Sequence, residues 1–175
     1  MTILDELKVL TLDENAKSVT INAFRAGRAL VLDFWTTKCV KCPAALEKLN
    51  CEANENVDGG LVFAACALSQ GTGNKDIVMG MIEDWGLDWS LTHMFMELED
   101  KEKAKAEFGF NSVPFCVVIS KSGSILGSGD PKSIDFAKLL SAESKCENIG
   151  VSHKDLPVVC ATNVQTHTFS LDEDF

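Results

Sequence analysis

The sequence lacks an excess of basic residues. Its 175 residues include 16 lysines and arginines against 26 aspartates and glutamates, which gives a formal net charge of -10. Proteins that hold phosphate backbones by counterion release need the opposite balance of charge. The composition therefore argues against nucleic acid and against anionic membrane surfaces as partners.

The sequence also lacks the patterns typical of a targeting peptide or a membrane-spanning segment. No stretch approaches the roughly 18 uninterrupted apolar residues of a membrane span. Acidic residues such as Asp5 and Glu6 stand where a signal peptide would have a basic start, and the segment is too acidic for a transit peptide. We therefore expect a soluble cytoplasmic protein with no membrane contact.

Cysteine is too sparse for a disulfide scaffold. The seven cysteines are an odd number, so at least one cannot pair within the chain. The apolar content of 46% can supply the core of one domain without disulfide staples. In a reducing compartment, a close cysteine pair is more often catalytic or metal-binding than structural.

Strand and helix patterns alternate along the chain. Nearly continuous apolar runs predict buried parallel strands, and short alternating segments predict hairpins at either end. The predicted strands are 8–12, 18–21, 29–35, 61–69, 91–96, 115–120 and 125–129. The predicted helices are 39–58, 75–87, 97–110 and 131–144, and 22–28 is predicted to be a connector.

This order of elements predicts an α/β domain over residues 1–145. Its sheet is expected to be mainly parallel with an antiparallel edge formed by the last hairpin. The charged stretch 97–107 is expected to be a solvated helix face. Residues 146–175 end in the acidic segment LDEDF and are expected to form an extended or partly ordered tail.

The segment WTTKCVKCP carries the most specific chemistry. Cys39 and Cys42 follow a predicted strand and open a predicted helix, so their side chains should lie one turn apart, close enough for a disulfide. A helix amino terminus favours an anion, and Lys38 and Lys41 add positive charge. We therefore expect Cys39 to ionise more readily than a free thiol and to be the nucleophile.

The segment ALVLDFWTTKCVKC resembles the strand, aromatic turn and Cys-x-x-Cys helix of the thioredoxin superfamily. FGFNSVPF is similar to the segment in which that family has a cis peptide facing the disulfide, here Val113-Pro114, and Gly123 falls at its final hairpin turn. The resemblance covers about residues 8–144. The segment SVTINAFRAGRALVLDFW and the extra helix and strand between 74 and 96 resemble the redoxin branch, which includes the tryparedoxins.

This resemblance implies a thioredoxin fold, with a central mixed sheet flanked by helices, an N-terminal hairpin and an extra strand-helix insertion. It implies a thiol-disulfide oxidoreductase that acts on disulfides in partner proteins, in which Cys39 attacks and Cys42 resolves the mixed disulfide. A reductase or a small dithiol would regenerate the pair. No metal or organic cofactor is required, and we expect a monomer.

Asp33 lies inside an apolar strand, where a carboxylate costs free energy unless it is paired or kept neutral. Thioredoxins have a buried carboxylate six positions before the first cysteine. The resemblance therefore implies that Asp33 exchanges a proton with Cys42. The substrate contacts that it implies are Trp35, Lys38, Val113 and Pro114.

The sequence departs from the family pattern around the cysteines. Lys38 stands where tryptophan is usual, and Val40-Lys41 replaces a dipeptide that usually contains Gly, Pro or an aromatic residue. Phe115 follows the proline where a small or β-branched residue is commoner. These departures bear on the reduction potential and on the surface that meets a partner.

Three alternatives stay open. One is a thiol peroxidase of the same fold, although peroxiredoxins have a proline seven residues before the reactive cysteine and this chain has Leu32, while Thr36 matches. Another is a redox-inactive binding module. The third is a zinc site, which needs four ligands, and Cys51 is about half a turn out of phase with Cys42.

The remaining thiols and one histidine are expected to be structural. His93, in an apolar strand, is expected to be a satisfied structural histidine. The cysteines expected to be small buried side chains are Cys51, Cys66 and Cys116. The sequence assigns no role to Cys146 or Cys160.

Overall fold

The computed structural model describes residues 2–56, 61–72, 74–86, 91–139 and 141. The strands are β1 (Lys8–Thr11), β2 (Ser18–Thr20), β3 (Ala29–Trp35), β4 (Leu61–Leu68), β5 (Thr92–Met96), β6 (Phe115–Ile119) and β7 (Ile125–Gly129). The helices are α1 (Ile21–Arg25), α2 (Cys42–Glu55), α3 (Asn74–Asp84) and α4 (Leu98–Phe108). Short 3-10 turns lie at Ile3–Asp5 and Pro131–Ser133.

All of these strands form one mixed sheet in the order β2-β1-β5-β4-β3-β6-β7. β3 pairs in parallel with β4, and β4 in parallel with β5. The remaining pairs are antiparallel. The α/β class, the N-terminal hairpin and the final hairpin are confirmed. The expectation of a mainly parallel sheet is wrong, because β1 runs opposite to β5 and β6 runs opposite to β3.

Strand β3 is buried along its whole length between β4 and β6. Leu32 and Phe34 contact the core on one face of the sheet. Val31 and Trp35 contact the core on the other face, which α2 covers with Leu46 and neighbouring residues. Because side chains alternate along a strand, Asp33 lies on the face beneath α2.

Residues predicted to be a connector form the short helix α1. The hydroxyl oxygen of Thr20 accepts a hydrogen bond from the N–H of Ala23 at 3.2 Å, which caps the helix. Ala26 ends it in the left-handed conformation with φ 48°. The connector prediction is wrong because Thr20, the last residue of β2, also caps the helix that follows it.

The later helices are confirmed in type but differ in detail. α3 buries Val78 and Ile82, whereas Ile77 is 57% exposed. Residues 136–139 are helical and bury Phe136, which packs with the core beneath α2. The predicted tail 146–175, with the boundary before it, lies outside the described residues. No helix within the described ranges is long and apolar enough to cross a membrane.

Candidate active site

The two cysteines of the Cys-x-x-Cys segment form a disulfide, with Cα atoms 5.4 Å apart. The N–H of Cys39 donates to the carbonyl of Thr36, and the N–H of Cys42 donates to the carbonyl of Cys39, each at 3.2 Å. Helix α2 begins at Cys42, so Cys39 lies in the turn before the helix. The predicted pairing is confirmed, but a turn rather than three helical residues brings the sulfurs together.

The two sulfurs differ in exposure. Cys42 is fully buried, while Cys39 is half-buried. Val40 between them is 92% exposed, and Lys38 and Lys41 are exposed on either side. An external sulfur atom can therefore reach Cys39 and not Cys42, while the order of attack stays a prediction.

The Val113-Pro114 peptide is cis, as predicted. The carbonyl oxygen of Val113 lies 3.5 Å from Sγ of Cys39. In the described part of the chain, neither the N–H nor the carbonyl of Val113 takes part in a backbone hydrogen bond. Gly123 occupies the predicted hairpin turn with φ 91°, a conformation that favours glycine.

Asp33 is fully buried, and neither carboxylate oxygen has a hydrogen-bond partner among the described residues. Burial, and next the charge of Asp130, raise the pKa of Asp33 well above its usual range. The environment therefore favours the protonated carboxylic acid. The acid can give up a proton and its carboxylate can take one, on the face of the sheet against which Cys42 packs.

Cys116 lies directly opposite Asp33 in the register of β3 and β6. It belongs to the same buried cluster as Cys42. Burial, and next the charge of Asp33, raise the pKa of the Cys116 thiol. The sequence identified Cys116 as a buried thiol but not as a neighbour of Asp33, because that pairing depends on the register of two distant strands.

Two other cysteines complete the described set of free thiols. Cys66 is buried, as predicted, and burial raises its pKa. Cys51 is exposed, so the expectation that it is a buried thiol is wrong. It lies on the solvent side of α2 because it is out of phase with Cys42 on that helix.

Trp35 packs beneath the active-site turn. Its side chain is fully buried, and its ring lies 5.3 Å from the ring of Trp85 between centroids. A side chain without exposed surface cannot contact a partner protein. The implied substrate contact at Trp35 is therefore wrong, and the residue supports the turn from below.

A hydrogen-bonded network that the sequence did not predict joins the active-site turn to the loop after β4. The hydroxyl of Thr37 donates to Oε1 of Gln70 at 2.7 Å. The side-chain amide of Asn74 donates to the Thr37 hydroxyl at 3.3 Å, and its oxygen accepts from the N–H of Gln70 at 3.1 Å. An asparagine at the start of a helix was the signal available for this network.

His93 is buried in β5, and neither ring nitrogen has a hydrogen-bond partner among the described residues. Burial lowers its pKa to about 4. The expectation of a satisfied histidine is wrong within this part of the chain. Among the described residues, no cluster of three or more histidine, cysteine or acidic side chains could hold a metal ion.

Comparison with known proteins gives structural matches only. No family model and no curated protein matches the chain. The thioredoxin domain of a thiol-disulfide oxidoreductase from Bacteroides vulgatus matches with TM-score 0.59 and 18% identity, over 79% of this chain and 93% of that chain.

Two further solved structures agree with this match. A thiol:disulfide interchange protein from Bacteroides sp. has TM-score 0.59 and 18% identity, over 85% of this chain and 89% of its own. An exposed lipoprotein thioredoxin from Streptococcus pneumoniae has TM-score 0.58 and 18% identity, over 79% of this chain and 97% of its own. The chain therefore has the thioredoxin fold, with its Cys39-Cys42 pair at the start of α2 and beside the cis Val113-Pro114 peptide.

Proposed function

We propose that the protein is a thiol-disulfide oxidoreductase that reduces or exchanges disulfides in partner proteins. The observation that carries this proposal is the asymmetric pair, in which a half-buried Cys39 is joined to a fully buried Cys42. The matched structures include proteins described as a thiol-disulfide oxidoreductase and a thiol:disulfide interchange protein, which supports the same chemistry.

The cycle begins with both cysteines reduced. The Cys39 thiolate attacks one sulfur of a partner disulfide, a mixed disulfide forms, and the other partner sulfur leaves as a thiolate. Cys42 then loses its proton and attacks Sγ of Cys39, which releases the second partner thiolate. Two electrons have passed to the partner, and a reductase or small dithiol returns two electrons to the Cys39-Cys42 disulfide.

Asp33 is proposed to exchange a proton with Cys42: the buried acid first gives its proton to solvent, and its carboxylate then accepts the proton that Cys42 loses on attacking Cys39. A raised pKa makes its carboxylate a stronger base than an ordinary aspartate, and the apolar surroundings leave few competing acceptors. Asp33→Asn cannot take up this proton. The pH dependence of dithiol exchange should change in this variant, and an unchanged pH-rate profile would show that Asp33 has no such role.

The partner chain is proposed to lie in extended form across the cis peptide. The N–H and the carbonyl of Val113 make no backbone hydrogen bond within the described residues, so they suit strand-like hydrogen bonds to a peptide. Exposed Lys38 and Val40 border the reacting sulfur and would contact the partner on the other side.

Mixed-disulfide trapping tests the proposed function. Cys42→Ser should accumulate partner proteins bound through Cys39 in cell extract, and dithiothreitol should release them. The matched control is the double variant with Cys39→Ser, which should trap none of these proteins. If Cys42→Ser traps no more than the control and the wild-type pair never changes oxidation state, the protein is a binding module instead.

We also propose that the protein works in a reducing compartment such as the cytoplasm. Exposed Cys51 and the buried Cys66 and Cys116 are free thiols, which such a compartment preserves. The fold itself does not decide the location, since one matched protein is described as an exposed lipoprotein. Alkylation of the protein in intact cells, followed by fractionation, would test the location and the state of these thiols together.

A further inference from the structure

Lys101 is a buried cation on a helix that the sequence predicts to be solvated. It is only 7% exposed, so for this residue the solvated-face prediction is wrong. Its Nζ donates to the carbonyl of Ser69 at 3.1 Å. An ammonium group carries three donors, and this bond is the one that the described residues supply to Lys101.

The neighbouring lysines of α4 have carboxylate partners and Lys101 has none in the described residues. Nζ of Lys103 lies 2.7 Å from Oε1 of Glu99, and Nζ of Lys105 lies 3.6 Å from Oε2 of Glu102. A buried charge without a counter-ion costs free energy. A site that keeps such a charge is suited to an anion that arrives from outside.

Lys101 lines a cavity whose walls include two residues that contact Cys39. Thr36 and Val113 line the same cavity, and Lys105 adds a second ammonium group. Thr36 accepts a hydrogen bond from the N–H of Cys39, while the Val113 carbonyl lies 3.5 Å from its sulfur. A group bound here would therefore be a close neighbour of a sulfur bonded to Cys39.

The size of the cavity limits what it can hold. Its volume of about 20 Å³ compares with the roughly 10–15 Å³ that one water molecule needs. That space is enough for the two oxygens of a carboxylate. Asn111 and Ser112 line it as well and can donate hydrogen bonds to the same group.

We propose that this cavity is a substrate-binding subsite for the carboxylate of an aspartate or glutamate next to the half-cystine of a partner polypeptide. The inference rests on the proposed oxidoreductase function and adds a sequence preference to it. Lys101 is the specificity-determining residue. It pairs with the partner carboxylate while Cys39 is bonded to the neighbouring sulfur.

Two synthetic disulfide peptides that differ only in Glu or Gln beside the cysteine test this subsite. The full-length reduced protein should react about tenfold faster with the Glu peptide, which corresponds to about 1.4 kcal/mol of preferential stabilisation. Lys101→Met, which has similar length and no charge, should lose this preference. Lys103→Met on the exposed part of the same helix is the matched control and should keep it.

The outcomes separate the subsite from the underlying reaction. Equal rates for both peptides with wild type, or a preference that survives Lys101→Met, would overturn the subsite and leave the proposed function standing. If neither peptide is reduced, the proposed function fails. Lys101→Arg keeps the charge and should keep the preference for the Glu peptide, so it provides a test if Lys101→Met folds poorly. Loss of the preference in Lys101→Arg would also overturn the subsite.

Discussion

Burial controls the protonation of the residues behind the active-site disulfide. Asp33 and Cys116 face each other across two strands, and burial raises the pKa of both groups. Each carries its proton more firmly than an exposed group of the same type. Among the described residues, Asp33 is the only buried residue with a carboxyl group, so protons on this face of the sheet have few places to go.

Asp33 should make the stability of the protein depend on pH. Its folded pKa lies above the unfolded value near 3.9, so its contribution to stability is full below about pH 4 and is lost as pH rises through the folded pKa. We expect Asp33→Asn to be more stable than wild type at pH 8 and to lose this advantage at pH 3. Denaturant unfolding of the reduced proteins measures the difference.

The control for this prediction is Asp76→Asn, since Asp76 is exposed on α3. Its stability should follow the wild-type curve across the pH range. If the free energy of unfolding of wild type changed with pH in parallel with that of Asp33→Asn, this would contradict a buried, protonated carboxyl group at Asp33.

His93 should weaken the protein in acid. Its folded pKa of about 4 lies below the unfolded value of 6.5, so its contribution is present above pH 6.5 and is lost as pH falls through 4. Between pH 7 and 4.5 we expect wild type to lose about 2–3 kcal/mol more stability than His93→Leu. Urea unfolding at the two pH values checks this, and equal losses would contradict it.

At the scale of elements, Arg25 joins α1 to the turn between β6 and β7. Its Nη1 donates to the carbonyl groups of Ser120 at 3.1 Å and Lys121 at 2.8 Å. Its side chain is buried beside Gly123, where an added Cβ would lie 3.1 Å from Nη2. One arginine therefore fixes the hairpin that forms the edge of the sheet.

Arg25→Met should lower the free energy of unfolding by about 2–4 kcal/mol, because it leaves buried carbonyl groups without a charged donor. Arg28→Met is the matched control, since Arg28 is exposed and donates to one carbonyl at 3.2 Å. It should cost less than about 1 kcal/mol. Denaturant unfolding of both variants tests this, and equal losses would show that Arg25 is not the link.

The sequence predicted elements whose pattern is local. β3 was predicted at 29–35 and is observed at Ala29–Trp35, because a buried strand is apolar on both faces and therefore continuous in sequence. The Cys39-Cys42 pair and the cis Val113-Pro114 peptide were identified through two short motifs. These features need no knowledge of how distant parts of the chain pack.

The features that the sequence did not predict depend on how distant parts of the chain pack together. A charged helix pattern cannot show that Lys101 is covered by the loop and strands beside it. Spacing on α2 separated Cys51 from Cys42 but could not show which helix face meets solvent. The contact between Asp33 and Cys116 required the register of β3 and β6.

At the scale of the whole molecule, we expect a monomer under reducing conditions. The large apolar side chains that are exposed in the described residues are mostly on separate elements, as with Val40, Leu98 and Ile125. The net charge of -10 also opposes self-association. Sedimentation equilibrium in dithiothreitol should give a mass near the chain mass of 19.0 kDa. A mass twice as large would contradict the prediction.

The central claim is that the Cys39-Cys42 pair passes two electrons to a protein disulfide. The direct measurement mixes the reduced protein with a disulfide-bonded protein, quenches with acid, alkylates, and counts free thiols in both by mass spectrometry. The account predicts one Cys39-Cys42 disulfide formed for each partner disulfide reduced, and no such transfer by Cys39→Ser. Partner reduction without oxidation of this pair, or an equal rate with Cys39→Ser, would contradict it.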